Sequence, residues 1–131
     1  MTRHAVTSAG APAPVGAYSQ AIATDGFVFC SGQVGLDPAT GQLPDGIEAQ
    51  TERVLKNLTA VLDAAGMTFA DVVKTTILLT SMGDFQTVNG IYARYVSDPP
   101  PARATYAVSG LPRGALIEIE AIAHRSTPSH S

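Results

Sequence analysis

From Leu116 to His124 the chain alternates with a period of two, and neither resulting face is plainly polar. Ile117, Ile119, Ala121 and Ala123 fall on one face, and Leu116, Glu118, Glu120, Ile122 and His124 on the other. A strand of this kind needs cover on both sides. The neighbouring strand-like run, Ala102 to Val108, divides in the same way, with Arg103, Thr105 and Ala107 on one face and Ala104, Tyr106 and Val108 on the other. A turn at Gly110 to Gly114 joins the two runs and predicts a hairpin. The rest of the chain offers two helical stripes, enough for one face of a sheet only. The mixed face suits burial against a second copy of the chain, with its polar groups gathered in a cleft. The pattern therefore predicts a homo-oligomer.

The remaining elements follow from periodicity and punctuation. Ala9 to Gly16 alternates Ala, Pro and Gly between two strand-like runs and reads as an ordered loop. Phe27 to Val34, after Gly26, is β-branched and aromatic and predicts a strand. Asp37-Pro38 and Thr40-Gly41 mark turns between Gly35 and Gly46. Asp45 and Glu48 have capping-box spacing. Ile47, Thr51, Val54, Leu55, Leu58, Val61, Leu62 and Ala65 then hold one buried helix face, which Gly66 stops. Val72 to Thr80 reads as a strand. Ser81 and Asp84 resemble another cap, and Phe85, Val88, Ile91, Tyr92, Tyr95 and Val96 form a second stripe that Pro99-Pro100-Pro101 ends. Strands, helix, strand, helix and two strands make an α+β or α/β sandwich, with both helices on one sheet face.

A length of 131 residues suits one domain, 1–131, with Ser126 to Ser131 expected to fray. Hydrophobic residues at 45% exclude a disordered chain, and charged residues at 15% suggest that more surface is hidden than one small monomer hides. A net charge of −3 makes nucleic acid a poor default partner. The single Cys30 fits a reducing compartment. No apolar run approaches the roughly eighteen residues of a membrane helix, and the first residues do not resemble a signal peptide, so the expected location is cytoplasmic, with no membrane partner. In that setting the acceptor pattern Asn57-Leu58-Thr59 carries no meaning.

Several chemistries find no support. His4, His124 and His130 are scattered and lack the spacing of metal ligands. Gly32-Gln33-Val34-Gly35 is neither a P-loop nor a dinucleotide turn. Cys30 has no nearby histidine base and reads as a core thiol, and no G-x-S-x-G elbow exists. Arg103 differs, because Pro99-Pro100-Pro101-Ala102 aims it at the start of a strand. Its planar fork suits a carboxylate. Glu118, adjacent by the hairpin reading, is either its neighbour in a cleft or its partner in a structural ion pair.

At this point six segments become informative together. They are Gly16-Ala17-Tyr18-Ser19-Gln20, Phe29-Cys30-Ser31-Gly32-Gln33-Val34, Val73-Lys74-Thr75-Thr76, Phe85-Gln86-Thr87-Val88-Asn89, Pro101-Ala102-Arg103-Ala104, and Ile117 to Ala123. In order and spacing, from Pro14 to Ala123, the chain resembles the RidA/YjgF family, also called the endoribonuclease L-PSP family. The resemblance implies a chorismate-mutase-like fold and a homotrimer whose sheets form a central barrel. It also implies three clefts between subunits, each lined by both neighbours. The implied activity is hydrolysis of 2-iminopropanoate and 2-iminobutanoate to 2-oxo acids and ammonia, with no cofactor and no metal. By resemblance Arg103 grips the substrate carboxylate, and Glu118 positions the attacking water. Tyr18, Ser31, Gly32 and Asn89 line the pocket. Thr105 stands where some relatives have cysteine. Two other functions stay open: an endoribonuclease or translation inhibitor, and a non-catalytic trimer that binds small acids.

Overall fold

The computed structural model describes residues 2–125, so the predicted frayed tail and His130 lie outside the described residues. Eight principal elements follow one another: β1 His4–Val6, β2 Ala21–Thr24, β3 Phe27–Val34, α1 Ile47–Ala64, β4 Val72–Leu79, α2 Phe85–Tyr92, β5 Ala102–Ala107 and β6 Ile117–His124. The strands form one mixed sheet in the order β1-β2-β3-β6-β4-β5. Only β4 and β5 run parallel, and the other pairs are antiparallel. This is the α+β sandwich expected, with two helices over one face.

The core lies between that face and the helices. Val54, Leu55, Leu58, Val61 and Leu62 of α1 are fully buried, as are Ile117, Ile119 and Ala123 of β6. The aliphatic face of β6 is thus the inner one, as its alternation predicts. Asp25 and Gly26 both take positive φ and join β2 to β3 in a two-residue turn, the geometry that suits the twist of paired strands. Two polar side chains of α1 pin the long loop after β3. Buried Asn57 donates through Nδ2 to the carbonyls of Val34 (3.1 Å) and Leu36 (2.9 Å). Gln50 donates to Pro44 O (3.0 Å) and accepts from Leu116 N (2.9 Å). Asn57 has no exposed surface for a glycan.

Three local expectations are corrected. The predicted β5–β6 hairpin does not form, because β4 lies between those strands. The connection from Val108 to Leu116 is long enough to step across one strand, and it hooks onto the end of β4. Val108 N donates to Leu79 O (2.8 Å), and Thr80 N donates to Leu116 O (3.2 Å). The Asp45–Glu48 capping box is also absent, because Gly46, at φ 90°, is the N-cap. That moves the acidic pair one place off the register a box requires. Finally, α2 stops at Tyr92, well before the prolines. Its last turn tightens through Arg94 N to Ile91 O (3.1 Å) and Tyr95 N to Tyr92 O (2.9 Å), while Tyr95 packs edge-on against Phe69 at 5.9 Å. Gly66 does stop α1 as predicted, at φ 73°, with Met67 N bonded to Leu62 O. Among the described residues no helix is long and apolar enough to cross a membrane.

Candidate functional site

The residues singled out in sequence gather in two places on opposite faces of the sheet. The first lies on the helix side, at the β5 edge. Arg103 stands opposite Thr75 of β4, whose side chain is buried under α2. From there Arg103 Nη1 donates to Asn89 Oδ1 at 2.6 Å, and Cζ lies 5.3 Å from the Tyr92 ring centre and 5.5 Å from that of Phe85. An open depression of about 740 Å³ passes over Asn89, Tyr92, Pro100, Pro101 and Arg103. Thr105 follows on the same face, opposite Ile77, and its Oγ1 is buried with no hydrogen-bond partner among the described residues.

The second group lies on the open side of the sheet. Glu118 alternates with buried Ile117 and Ile119, which turns its half-buried carboxyl away from the core, between Val34 and Leu78 in register. Gly32 presses against it. A β-carbon built at Gly32 falls 2.7 Å from Glu118 Cδ and closer still to Oε2. A shift of register between Cys30 and Gln33 bulges the strand here, which is where a strand tolerates close approach. Burial pushes the Glu118 carboxyl above the ordinary carboxylate range, and the like charge of Glu120 adds to the shift. Ser31 is already engaged, its Oγ donating to Ser19 O (2.6 Å) while its N donates to Gln20 O (3.0 Å). These bonds stitch the Gly16–Gln20 loop beside Gly32. Tyr18 on that loop is half exposed, and its hydroxyl accepts from Val15 N at 3.4 Å.

Arg103 and Glu118 therefore do not meet within one chain, and the hairpin ion pair is absent. One strand separates them laterally, roughly 10 Å at two strand spacings, and their side chains leave opposite faces. Arg103 and Asn89 are brought together, as are Gly32, Ser31 and Glu118. The open face that carries Glu118 also exposes Phe27 at 38%, Phe29 at 44% and Tyr106 at 58%, a mixed apolar surface of the kind the alternation predicts. Sequence reading missed the aromatic bed under Arg103. Phe85 and Tyr92 read as core stripe, and the signal lay in their spacing around Asn89 on one side of α2.

Competing centres are weaker. Cys30 is buried and its thiol is pushed up to about 11, in keeping with a core thiol. Among the described residues no cluster of three or more His, Cys, Asp or Glu side chains is placed to hold a metal ion. A larger groove of about 910 Å³ runs between α1 and α2, but it is lined by Asp45, Glu48 and Glu52, and its arginine, Arg94, already lies 3.5 Å from Glu52. It offers little to an anionic substrate.

Known proteins share this arrangement of chain. A 2-iminobutanoate/2-iminopropanoate deaminase of Mus musculus is 52% identical over 122 residues, covering 92% of this chain and 90% of the mouse protein. The crystal structure of RidA from the Antarctic bacterium Psychrobacter sp. PAMC 21119 superposes with a TM-score of 0.91 at 42% identity, covering 93% of this chain and 99% of that one. E. coli TdcF with bound serine superposes at 0.90, with 34% identity over 94% of this chain and 99% of its own. The model of the Endoribonuclease L-PSP family matches residues 8–125, nearly the whole described fold, and this chain belongs to that family.

Proposed function

We propose that this protein hydrolyses reactive 2-imino acids, such as 2-iminopropanoate and 2-iminobutanoate, to 2-oxo acids and ammonia without a cofactor. The reading places the reaction in clefts between copies of a homotrimer, each copy one domain spanning 1–131. The observation that carries it is an arginine fork held beside Asn89, one strand and one face away from a half-buried glutamate. Two such halves from neighbouring copies make one site for a small carboxylate with an electrophilic carbon. The name of the mouse relative and the serine held by E. coli TdcF support a substrate of that size. The Thr105 hydroxyl, without a partner among the described residues, supports a neighbour or ligand at that place. The Glu118 face, with Phe27, Phe29 and Tyr106 open, supports cover by another copy. A lone buried thiol suits a reducing compartment, and the cytoplasm is the location we infer.

In this mechanism Arg103 binds the substrate carboxylate through two N–H groups and so fixes C2. Asn89 occupies one guanidinium nitrogen and sets the plane of the fork. Glu118 accepts a proton from a water whose oxygen adds to C2. That proton passes to nitrogen to give a carbinolamine. Glu118 then takes the hydroxyl proton and returns it to the amino group, so the C–N bond breaks and ammonia leaves as the C2 carbonyl forms. Tyr18 and the Gly32 backbone border the bound acid. The family's name also carries an endoribonuclease activity, but a net charge of −3 weighs against strong RNA binding by this chain.

A mixing experiment tests the shared cleft. Arg103→Ala and Glu118→Gln each inactivate their own homotrimer. Half the sites in an equal mixture draw an intact arginine and half of those an intact glutamate, so about one site in four is restored. Pyruvate release from 2-aminoacrylate, generated in place by a dehydratase, reads the result. Activity no greater than that of the parents overturns the two-copy site.

The pH profile gives a second check. Glu118 acts only when ionised, and its pKa lies above that of a free glutamate, so the rate falls on acidification at a higher pH than an ordinary carboxylate dictates. Glu120→Gln removes the neighbouring like charge, lowers the Glu118 pKa and moves the acid limb to lower pH. A limb that stays in place would remove Glu118 as the base.

A further inference from the structure

Arg103 rests on a prepared surface. Phe85, Asn89 and Tyr92 form one stripe of α2, and all three meet the guanidinium, Asn89 by its 2.6 Å hydrogen bond and the rings at 5.5 and 5.3 Å. The two rings are not equivalent. Phe85 is partly buried, whereas Tyr92 is only 4% exposed and its hydroxyl bonds Thr75 Oγ1 at 2.7 Å. Thr75, 1% exposed, is also the residue opposite Arg103 in the β4–β5 register. The strand position that sets the arginine backbone thus also anchors the ring beneath its head group.

We propose that Tyr92, held by Thr75, is a positioning residue that keeps the Arg103 fork aimed at the substrate carboxylate through its ring face. The inference rests on the carboxylate-binding role given to Arg103. A guanidinium over an aromatic face is attracted by the ring's electron density, and the contact strengthens as water is excluded. An arginine on an edge strand would otherwise sample many rotamers, and each substrate encounter would have to select one. The Thr75 bond also gives the buried phenol its partner, which lets a polar-tipped ring sit in the core. A leucine would fill the space but provide no face.

Steady-state kinetics on the intact protein, with the dehydratase-coupled assay, separate this role from plain packing. Tyr92→Leu is expected to raise KM for 2-iminopropanoate roughly 2- to 30-fold, with a smaller change in kcat. Tyr92→Phe keeps the ring and rescues most of that loss. Should the leucine variant fail to fold, phenylalanine, 3,5-difluorophenylalanine and pentafluorophenylalanine at position 92 preserve shape while draining the ring face of charge. KM should then climb stepwise along the series. A flat series, or leucine and phenylalanine variants that behave alike, overturns the positioning role. If Arg103→Ala is indistinguishable from the wild type, the carboxylate role of Arg103 is wrong, and the inference about Tyr92 falls with it.

Discussion

Arg103→Ala is expected to slow hydrolysis of 2-iminopropanoate by roughly 30- to 1000-fold, which corresponds to about 2–4 kcal/mol of lost transition-state stabilisation. On the proposed function the fork supplies two parallel hydrogen bonds and a full charge to a carboxylate that must be held while the adjacent carbon reacts. Little of the effect should come from folding. The side chain is exposed in the single chain, its hydrogen bond goes to Asn89 at the surface, and the core beneath is made by other residues. Arg103→Lys provides the control. It keeps the charge but lacks the planar fork, so it cannot bind a carboxylate in two-point fashion and bond Asn89 together. It should recover only part of the loss. Pyruvate release measured at unchanged oligomeric state decides the matter. An alanine variant within 3-fold of the wild type, taken as roughly the smallest effect worth assigning to such a contact, would remove Arg103 from the site.

Gly32→Ala should cost on the order of 100-fold in kcat, because the new methyl takes the space of the Glu118 carboxyl. The backbone at Gly32 is not in the left-handed region, so conformational strain contributes nothing and the effect is steric. Glu118 must swing aside, and on the proposed mechanism the water it activates moves with it. Two comparisons isolate this cause. On a Glu118→Ala background the methyl meets no carboxyl, so Gly32→Ala should add little further loss. Gly110→Ala, in the exposed connection after β5 where an added β-carbon meets nothing within 4 Å, should leave activity close to that of the wild type. Full additivity of the Gly32 and Glu118 substitutions would show that the glycine acts elsewhere.

What could be read from sequence follows the range of the interactions involved. The inner face of α1 and the alternation of β6 are local patterns, and both appear in the structure as drawn from sequence. Strand order is different. Nothing in Ala102–Ala107 states that its partner is β4 rather than β6, and proximity along the chain suggested a hairpin that the Val108–Leu116 crossing prevents. The same non-local fact hid the separation of Arg103 from Glu118. The residues themselves were legible through their motifs, but their placement on opposite faces depends on which strand lies between them. Asn57 and Gln50 were invisible for another reason. A polar residue inside a helix stripe looks like a solvated position until the loop carbonyls it serves are known.

Cys30 carries a consequence of its own. The imine form of the proposed substrate has an electrophilic carbon, and a thiolate close to its path would add to it. At a pKa of about 11, only about one thiol in ten thousand is ionised at neutral pH, and this one faces the core. The chain has one cysteine and keeps it protonated and out of reach. On the proposed function, a protein that disarms a thiol-reactive metabolite presents it with no target and so outlasts its own substrate.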